Sequence, residues 1–356
     1  MRALGLAVGV LAALLPWTAA FRVAPVATPG EALLETPLYV FVAALLAFGG
    51  ACLTRWDRWL GLFVLVGAVG AVAARDWIAL ATALWLAGGA AVLVAARAAA
   101  ERGAGPVLRA LLVATAVGEA LYALGQAFRW DPLWWGWQAP PYVVWHGTLG
   151  NPKYLGAFLA LLAPLAPLVL LPILLVGVVL SRSWLAAAAV VVGLAFRPSG
   201  SRRARAGALG LGLLGALGAV WARGWSPDSL LNRLAVWRLA LDDLLAVPVT
   251  LLTGYGPGAW PQAITARQIV AAGQGWPPEL FDAAHSDLVR LGFEGGALAL
   301  GLLVLWLLAH RAAWWRSPWR GAAAALAVLV VGLHPMHLAS IAVPACVVLG
   351  AATARS

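Results

Sequence analysis

Lysine is almost missing from this chain, charge of either sign is scarce, and cysteine is nearly absent. Lys153 is the only lysine beside 23 arginines, and charged residues make up 11% of the 356 positions. That is less than half the share of a soluble globular chain. So little polarity cannot cover a soluble domain of this size, which excludes a cytosolic enzyme and a disordered chain together. The two cysteines, Cys52 and Cys346, both lie in apolar runs, so they form neither a disulfide framework nor a metal site. No Walker A loop, Gly-x-Gly-x-x-Gly fingerprint or His-Glu-x-x-His is found. An Asp-x-Asp pair of the kind that holds a metal and a nucleotide sugar is also lacking. Neither a repeat of 20–50 residues nor a low-complexity tail stands out.

What is present is apolar. Hydrophobic residues are 63% of the chain and the mean hydropathy is +0.89. Runs near the roughly 20 residues that cross a bilayer are Leu4–Ala20, Pro37–Thr54, Trp59–Ala74, Trp77–Ala96 and Pro106–Ala127. Further runs are Tyr154–Ala166, Leu168–Leu180, Trp184–Phe196, Ala206–Trp221, Leu288–Ala309, Ala322–Leu333 and Leu338–Thr353. The expected fold is an all-α polytopic membrane protein with about twelve transmembrane helices, a single domain over residues 1–356. Residues 128–153 form a first large outer loop. Residues 222–287 form a long, partly helical outer loop between helices 9 and 10, which carries the candidate active site. Leu4–Ala20 also ends in the small residues Ala19 and Ala20 that a cleaved signal peptide needs; with one basic residue ahead of it, it reads as the first crossing.

Charge sets the orientation. With the N-terminus inside, inner segments hold 14 basic residues against Asp57 and Glu101, while outer segments hold 10 basic against 11 acidic. This obeys the positive-inside rule and places both termini in the cytoplasm. The net charge of +10 is therefore topological. No basic stripe with interleaved aromatics marks a nucleic-acid surface, so no nucleic acid is expected. Three runs in Tyr154–Phe196 are short for a crossing, and Pro164, Pro167 and Pro172 suit tilted or re-entrant geometry there.

Chemistry needs polar groups shielded from lipid, and four outer clusters qualify. The first is Trp145-His146-Gly147-Thr148-Leu149-Gly150-Asn151-Pro152-Lys153-Tyr154. The second is Ser181-Arg182-Ser183-Trp184, where a cation interrupts apolar runs and marks a functional candidate. The third runs from Asn232 through Arg233, Trp237 and Arg238 to Gly254, Gly256 and Gly258. Its helix has Ser226 as N-cap, Pro227 at the first helical position and Pro248 at the end. Arg233 and Trp237 share one face, while Arg238 and Asp242 pair on another. The fourth is Ala284-His285-Ser286-Asp287, leading to Gly292 and Gly296.

Lys153, Arg182 and Arg233 supply positive charge suited to an anion at the outer surface, most naturally a diphosphate, whose oxygens match arginine forks. His285 can take a proton from a hydroxyl nucleophile near neutral pH. His334 and His337 have a metal-compatible spacing but no evident third ligand. His310 reads as interfacial, and His146 as polarity near Asn151. Glu119, in mid-span, suits either a proton or ion path or a pairing with Gln126, Tyr122 or another helix. Trp130, Trp134, Trp135, Trp137 and Trp145 suit a membrane interface.

Four segments in order resemble the O-antigen ligase and polymerase superfamily. Gly147-Thr148-Leu149-Gly150-Asn151-Pro152-Lys153-Tyr154 looks like its "G-x-x-x-N-P" opening of a span. Ser181-Arg182-Ser183-Trp184-Leu185 is similar to its "S-R-small-x-L" segment. Arg233-x-x-x-Trp237 followed by Gly254-x-Gly256-x-Gly258 resembles its "R-x-x-x-W … G-x-G" stretch. Ala284-His285-Ser286 with Glu294 and Gly296 resembles its "H-(N/S) … E-x-G" motif.

The resemblance spans about residues 140–310. It implies a glycosyltransferase of the bacterial inner membrane with its active site on the periplasmic side. Such an enzyme moves a glycan from an undecaprenyl-diphosphate carrier to a lipid or saccharide acceptor. The reaction inverts the anomeric carbon and needs no metal or other cofactor. The resemblance puts Arg182 and Arg233 on the donor diphosphate and His285 on the acceptor hydroxyl. Lys153, Asn151, Arg238 and Trp237 then line the substrates. Ligase, polymerase and protein O-oligosaccharyltransferase activities share this donor chemistry and remain open. A transporter or lipid flippase is the rival from another class, and it would work through Glu119.

Overall fold

The computed structural model describes residues 65, 69, 77–131, 145–198, 201–223, 228–272, 284–337 and 339–354. The runs Leu4–Ala20 and Pro37–Thr54, most of Trp59–Ala74, and Trp134, Trp135 and Trp137 lie outside them. Every regular element among the described residues is helical. In chain order these are α1 (Trp77–Ala99), a π turn (Ala100–Ala104), α2 (Gly105–Ala127), α3 (Pro152–Leu162), α4 (Leu171–Leu180), α5 (Trp184–Ala195) and α6 (Arg202–Arg223). They continue with α7 (Asp228–Ala246), α8 (Pro248–Thr253), α9 (Trp260–Ala272), α10 (Asp287–Arg316), α11 (Arg320–Gly332) and α12 (Ala339–Ala352).

Three helical stretches are long and apolar enough to cross a membrane: Thr82–Ala127, Arg202–Trp221 and Asp287–Arg316. The first has 46 residues, about 69 Å at the helical rise, more than twice a hydrocarbon core. Gly103 divides it. Its φ of 86° lies in the left-handed region that costs glycine little, and it sits in the polar Ala100–Ala104 turn where the sequence breaks between two apolar runs.

The short helices follow their prolines. α3, α4 and α5 have 11, 10 and 12 residues, about 15–18 Å each. Pro152 opens α3, where it has no helical N–H to forfeit, and the Asn151 side chain accepts from Lys153 N at 2.9 Å as N-cap. Pro164 lies in the 3₁₀ turn Ala163–Leu165 that ends this helix, and Pro172 lies in the first turn of α4.

Leu155 to Leu162 are buried without interruption. A helix that is apolar all round belongs inside, and α3 is the hub: α2, α4, α5, α11 and α12 all pack on it. α1 packs chiefly on α12, and α6 on α4 and α5.

A second, smaller core joins the outer segment to the first turns of α10. It consists of Val236, Ala240, Leu244, Trp260, Ile264, Ala284 and Phe293. α7 covers most of the expected helix, but Pro248 begins α8 instead of merely terminating what precedes it. The break falls at Val247, an extended residue (φ −128°), as expected for a residue before proline.

His310 is a correction: it is buried, not interfacial. Arg97 Nη1 donates to its Nε2 at 3.1 Å, and its Nδ1 lies 2.9 Å from Trp306 O. Since arginine has no acceptor, Nε2 must be the bare nitrogen and Nδ1 carries the proton, so the ring is neutral.

The α5–α11 crossing is set by glycine. A Cβ on Gly321 would stand 2.6 Å from Gly193 O, and one on Gly193 would stand 3.0 Å from Gly321 O. Small residues let membrane helices approach this closely. Gly321→Val is expected to destabilise the bundle by about 1–3 kcal/mol through overpacking, seen as a lower thermal midpoint in detergent. An unchanged midpoint would show that the two helices do not meet there.

Candidate functional site

The site begins with a buried clamp on α2. Glu119, Tyr122 and Gln126 recur at helical spacing on one face, and all three are buried. The Glu119 carboxylate accepts the Thr148 backbone N–H at 2.9 Å and also the Thr148 hydroxyl. Gln126 Oε1 accepts the N–H groups of His146 (3.1 Å) and Gly147 (3.0 Å), while its Nε2 donates to Gly147 O (3.2 Å) and Asp131 (3.0 Å). The Tyr122 hydroxyl donates to Asp131 as well. Gly147 is at φ 63°, and a Cβ there would meet the Glu119 carboxylate at 2.5 Å. The first sequence cluster is therefore a loop whose backbone is read by α2 side chains, delivering the chain to the cap of α3.

That loop meets the second cluster. Trp145 lies under the Arg182 guanidinium, 5.5 Å from ring centroid to Cζ, within cation–π range. Arg182 is exposed at φ 51°, a left-handed conformation uncommon for a side-chain-bearing residue. Its two neighbours are buried serines that hold the turn. Ser181 Oγ donates to Val178 O at 2.6 Å and accepts the Ser183 N–H at 3.3 Å. Ser183 Oγ accepts from Ala186 N at 3.3 Å and caps α5.

The third and fourth clusters converge on the end of α11. Arg233 is buried, and its Nη1 donates to Gly332 O at 2.6 Å. A cation at the last carbonyls of a helix also complements the helix dipole. Trp237, one turn along α7, donates from Nε1 to Ala284 O at 2.7 Å. On the other side of His285, Ser286 caps α10 by accepting from Val289 N at 3.2 Å, and its Oγ donates to Val330 O at 3.2 Å. His285 between them is held at φ 49°. Asp287 N donates to Leu333 O at 3.1 Å, and the Asp287 carboxylate accepts the Met336 N–H at 3.0 Å.

The His285 ring lies 5.0 Å from the His334 ring, centroid to centroid. His334 Nε2 is hydrogen-bonded to the Tyr154 hydroxyl at 3.2 Å, and Tyr154 follows Lys153 in the first turn of α3. Gly332 also lies against the side chain of Leu185 at the start of α5. Segments from all four clusters thus meet around residues 330–336.

The Gly-x-Gly and Glu-x-Gly stretches have a structural job. Gly254 (φ 70°) and Gly296 (φ 61°) are pressed backbone to backbone: a Cβ on either would collide with the other segment. Tyr255 N donates to Phe293 O at 3.0 Å, and Gly256 N to Glu294 O at 2.9 Å. Glu294 accepts from Arg290 Nε at 2.7 Å and from Trp260 N at 3.3 Å. Any side chain at Gly254 or Gly296 would push α8 from α10.

The residues expected from sequence divide accordingly. His285, Arg233 and Trp237 lie together around Ala284 and Gly332, with Tyr154 joined to them through His334. Arg182 meets Trp145, and no described contact joins it to the others, while the Lys153 backbone N–H serves the cap of α3. Asn151 is occupied as a helix cap. Arg238 stands apart, exposed and 3.9 Å from Asp242. His334 is the residue whose place sequence reasoning missed; its proximity to His337 suggested a metal, but its partners Tyr154 and His285 are distant in sequence. Among the described residues no group of three or more His, Cys, Asp or Glu is arranged to hold a metal ion.

Glu119→Leu leaves the Thr148 N–H and hydroxyl unanswered and is expected to cost about 2–3 kcal/mol. Glu119→Gln keeps an acceptor oxygen and should recover most of it. Thermal unfolding of both variants in detergent measures this, and a wild-type midpoint for Glu119→Leu would remove the clamp. No family model, curated protein or solved structure matches this chain.

Proposed function

We propose that this chain is a multi-pass inner-membrane glycosyltransferase, crossing about twelve times with both termini cytoplasmic. On this reading it transfers a glycan from an undecaprenyl-diphosphate carrier to an acceptor hydroxyl on the periplasmic side. The observation that carries the reading concerns the backbone. Among the described residues, three without a glycine's freedom have positive φ: Arg129, Arg182 and His285. Two of them are the cation and the base that the sequence motifs single out. A left-handed side-chain-bearing residue costs about 1–2 kcal/mol, and such strain is retained where the side chain has a task. The backbone on each side of both residues is held by hydrogen bonds of the flanking groups.

The chemistry follows from the residue types. His285 accepts the proton of the acceptor hydroxyl, and that oxygen attacks the anomeric carbon of the donor glycan. The bond from that carbon to the diphosphate oxygen breaks, and the lipid diphosphate leaves with the bonding pair. Attack from the face opposite the leaving group inverts the anomeric centre. Arg182, Arg233 and Lys153 supply the positive field for the departing anion. Arg233 carries five N–H donors in a planar fork, and its Nη1 gives one to the Gly332 carbonyl. The transporter reading would work through Glu119, whose carboxylate accepts from Thr148.

The test uses purified protein in liposomes, a radiolabelled undecaprenyl-diphosphate glycan, candidate acceptors and no divalent metal. Label should leave the carrier with wild type. Product size distinguishes a single ligation from a polymer ladder. His285→Gly and Arg182→Gly relieve the backbone strain, so each should stay within about 1–2 kcal/mol of wild-type stability while transfer falls at least about 100-fold. Full turnover in both glycine variants would refute the assignment.

A further inference from the structure

The two imidazoles at the centre of the site are close enough to affect each other's charge. Their centroids are 5.0 Å apart, with ring planes tilted by 51°. His334 is held from its far side by Tyr154, at 3.2 Å through Nε2 and edge to face at 5.8 Å. The segment carrying His334 is fixed at both flanks: Gly332 O takes the Arg233 bond, Met336 N donates to Asp287, and Met336 O accepts from Trp85 Nε1 at 2.7 Å. His285 is fixed equally firmly through Ala284 and Ser286. These bonds hold the backbone that carries each ring.

We propose that His334 is a positioning residue for His285. Held by Tyr154, it lies close enough that a proton on one ring opposes a proton on the other, and the pair carries at most one positive charge near neutral pH. Two like charges at this separation disfavour each other, and groups so coupled titrate as a pair. A charge on His334 therefore opposes one on His285, so that His285 stays unprotonated to a lower pH than it would alone. The role in catalysis rests on the transferase reading; the coupling itself does not.

The charged and titratable groups on the elements that meet here include Tyr154 and Lys153 on α3, Arg182 before α5, Arg233, Arg238, Asp242 and Asp243 on α7, and Asp287, Arg290 and Glu294 on α10. Arg233 and the other cations oppose a second positive charge, and Asp287 favours one. All of them persist when His334 alone is replaced, so comparing wild type with a His334 variant isolates the effect of the second imidazole.

The experiment is a pH titration by NMR of protein labelled at histidine Cε1 in lipid nanodiscs. The chain has five histidines, so the His285 resonance is assigned by its loss in His285→Gln. Removing His334, as His334→Phe or the more conservative His334→Asn, should raise the His285 midpoint by about one pH unit. The acidic limb of the transfer profile should move upward with it. An unmoved His285 midpoint in whichever variant folds would overturn the proposal. So would a midpoint that moves while the acidic limb of transfer stays in place. If the midpoint moves but wild type transfers no glycan to any acceptor, the coupled pair stands and the transferase reading falls.

Discussion

A buried polar group in an apolar bundle has to be answered by protein, since neither lipid nor bulk water is at hand. The face of α2 bearing Glu119, Tyr122 and Gln126 meets that requirement with the backbone of residues 146–148. The exchange is mutual: the carboxylate and carboxamide find donors, and an irregular loop finds acceptors where no secondary structure can supply them. The rest of the site hangs from this arrangement. The loop ends in the cap of the central helix α3, whose first turn carries Tyr154 to His334, and it begins at Trp145, under Arg182. An acid in mid-span thus sets the position of a cation on a different turn without touching it.

Strain and support are paired in the same way elsewhere. Arg182 and His285 adopt a backbone conformation that their own side chains oppose, and each is flanked by residues whose polar atoms are spent on neighbouring turns. Serines on both sides hold Arg182. Trp237 and Ser286 hold the residues beside His285. These bonds hold the backbone on either side of each turn, while the Arg182 guanidinium lies over Trp145 and the His285 ring lies against His334.

Much of this was legible in the sequence. Outside residues 222–287 most helices between Trp77 and Thr353 follow the apolar runs to within a few residues, because length and hydropathy dictate them; Pro248, read as a helix end, begins the next helix. Arg182, Arg233 and His285 stood out because charged and titratable residues are rare in so apolar a chain. The role of Glu119 was legible only as one of several, since its partner Thr148 is 29 residues away and no periodicity links them. His334 was harder still. Its neighbours Tyr154 and His285 lie on other elements, and the adjacent His337 invited a metal reading instead. The sequence showed a helix from Pro227 towards Pro248, which the structure gives as Asp228–Ala246, but not that Gly254 and Gly296 let two backbones touch.

The end of α11 gives Arg233 and His334 a common mechanical origin. Arg233 is bonded to the carbonyl of Gly332, and His334 is two residues further on. A displacement of this segment would move the cation's anchor and the imidazole beside His285 together. An anion drawing the Arg233 guanidinium toward itself pulls on the helix end that positions the histidine pair. In the proposed reaction those are the donor's diphosphate and the acceptor's base. Two of the described polar contacts, from Ser286 to Val330 and from Asp287 to Met336, brace the same segment from α10. The bracing resists such a displacement, so on the proposed reading a pull on Arg233 would reach the histidine pair through the short segment from Gly332 to His334.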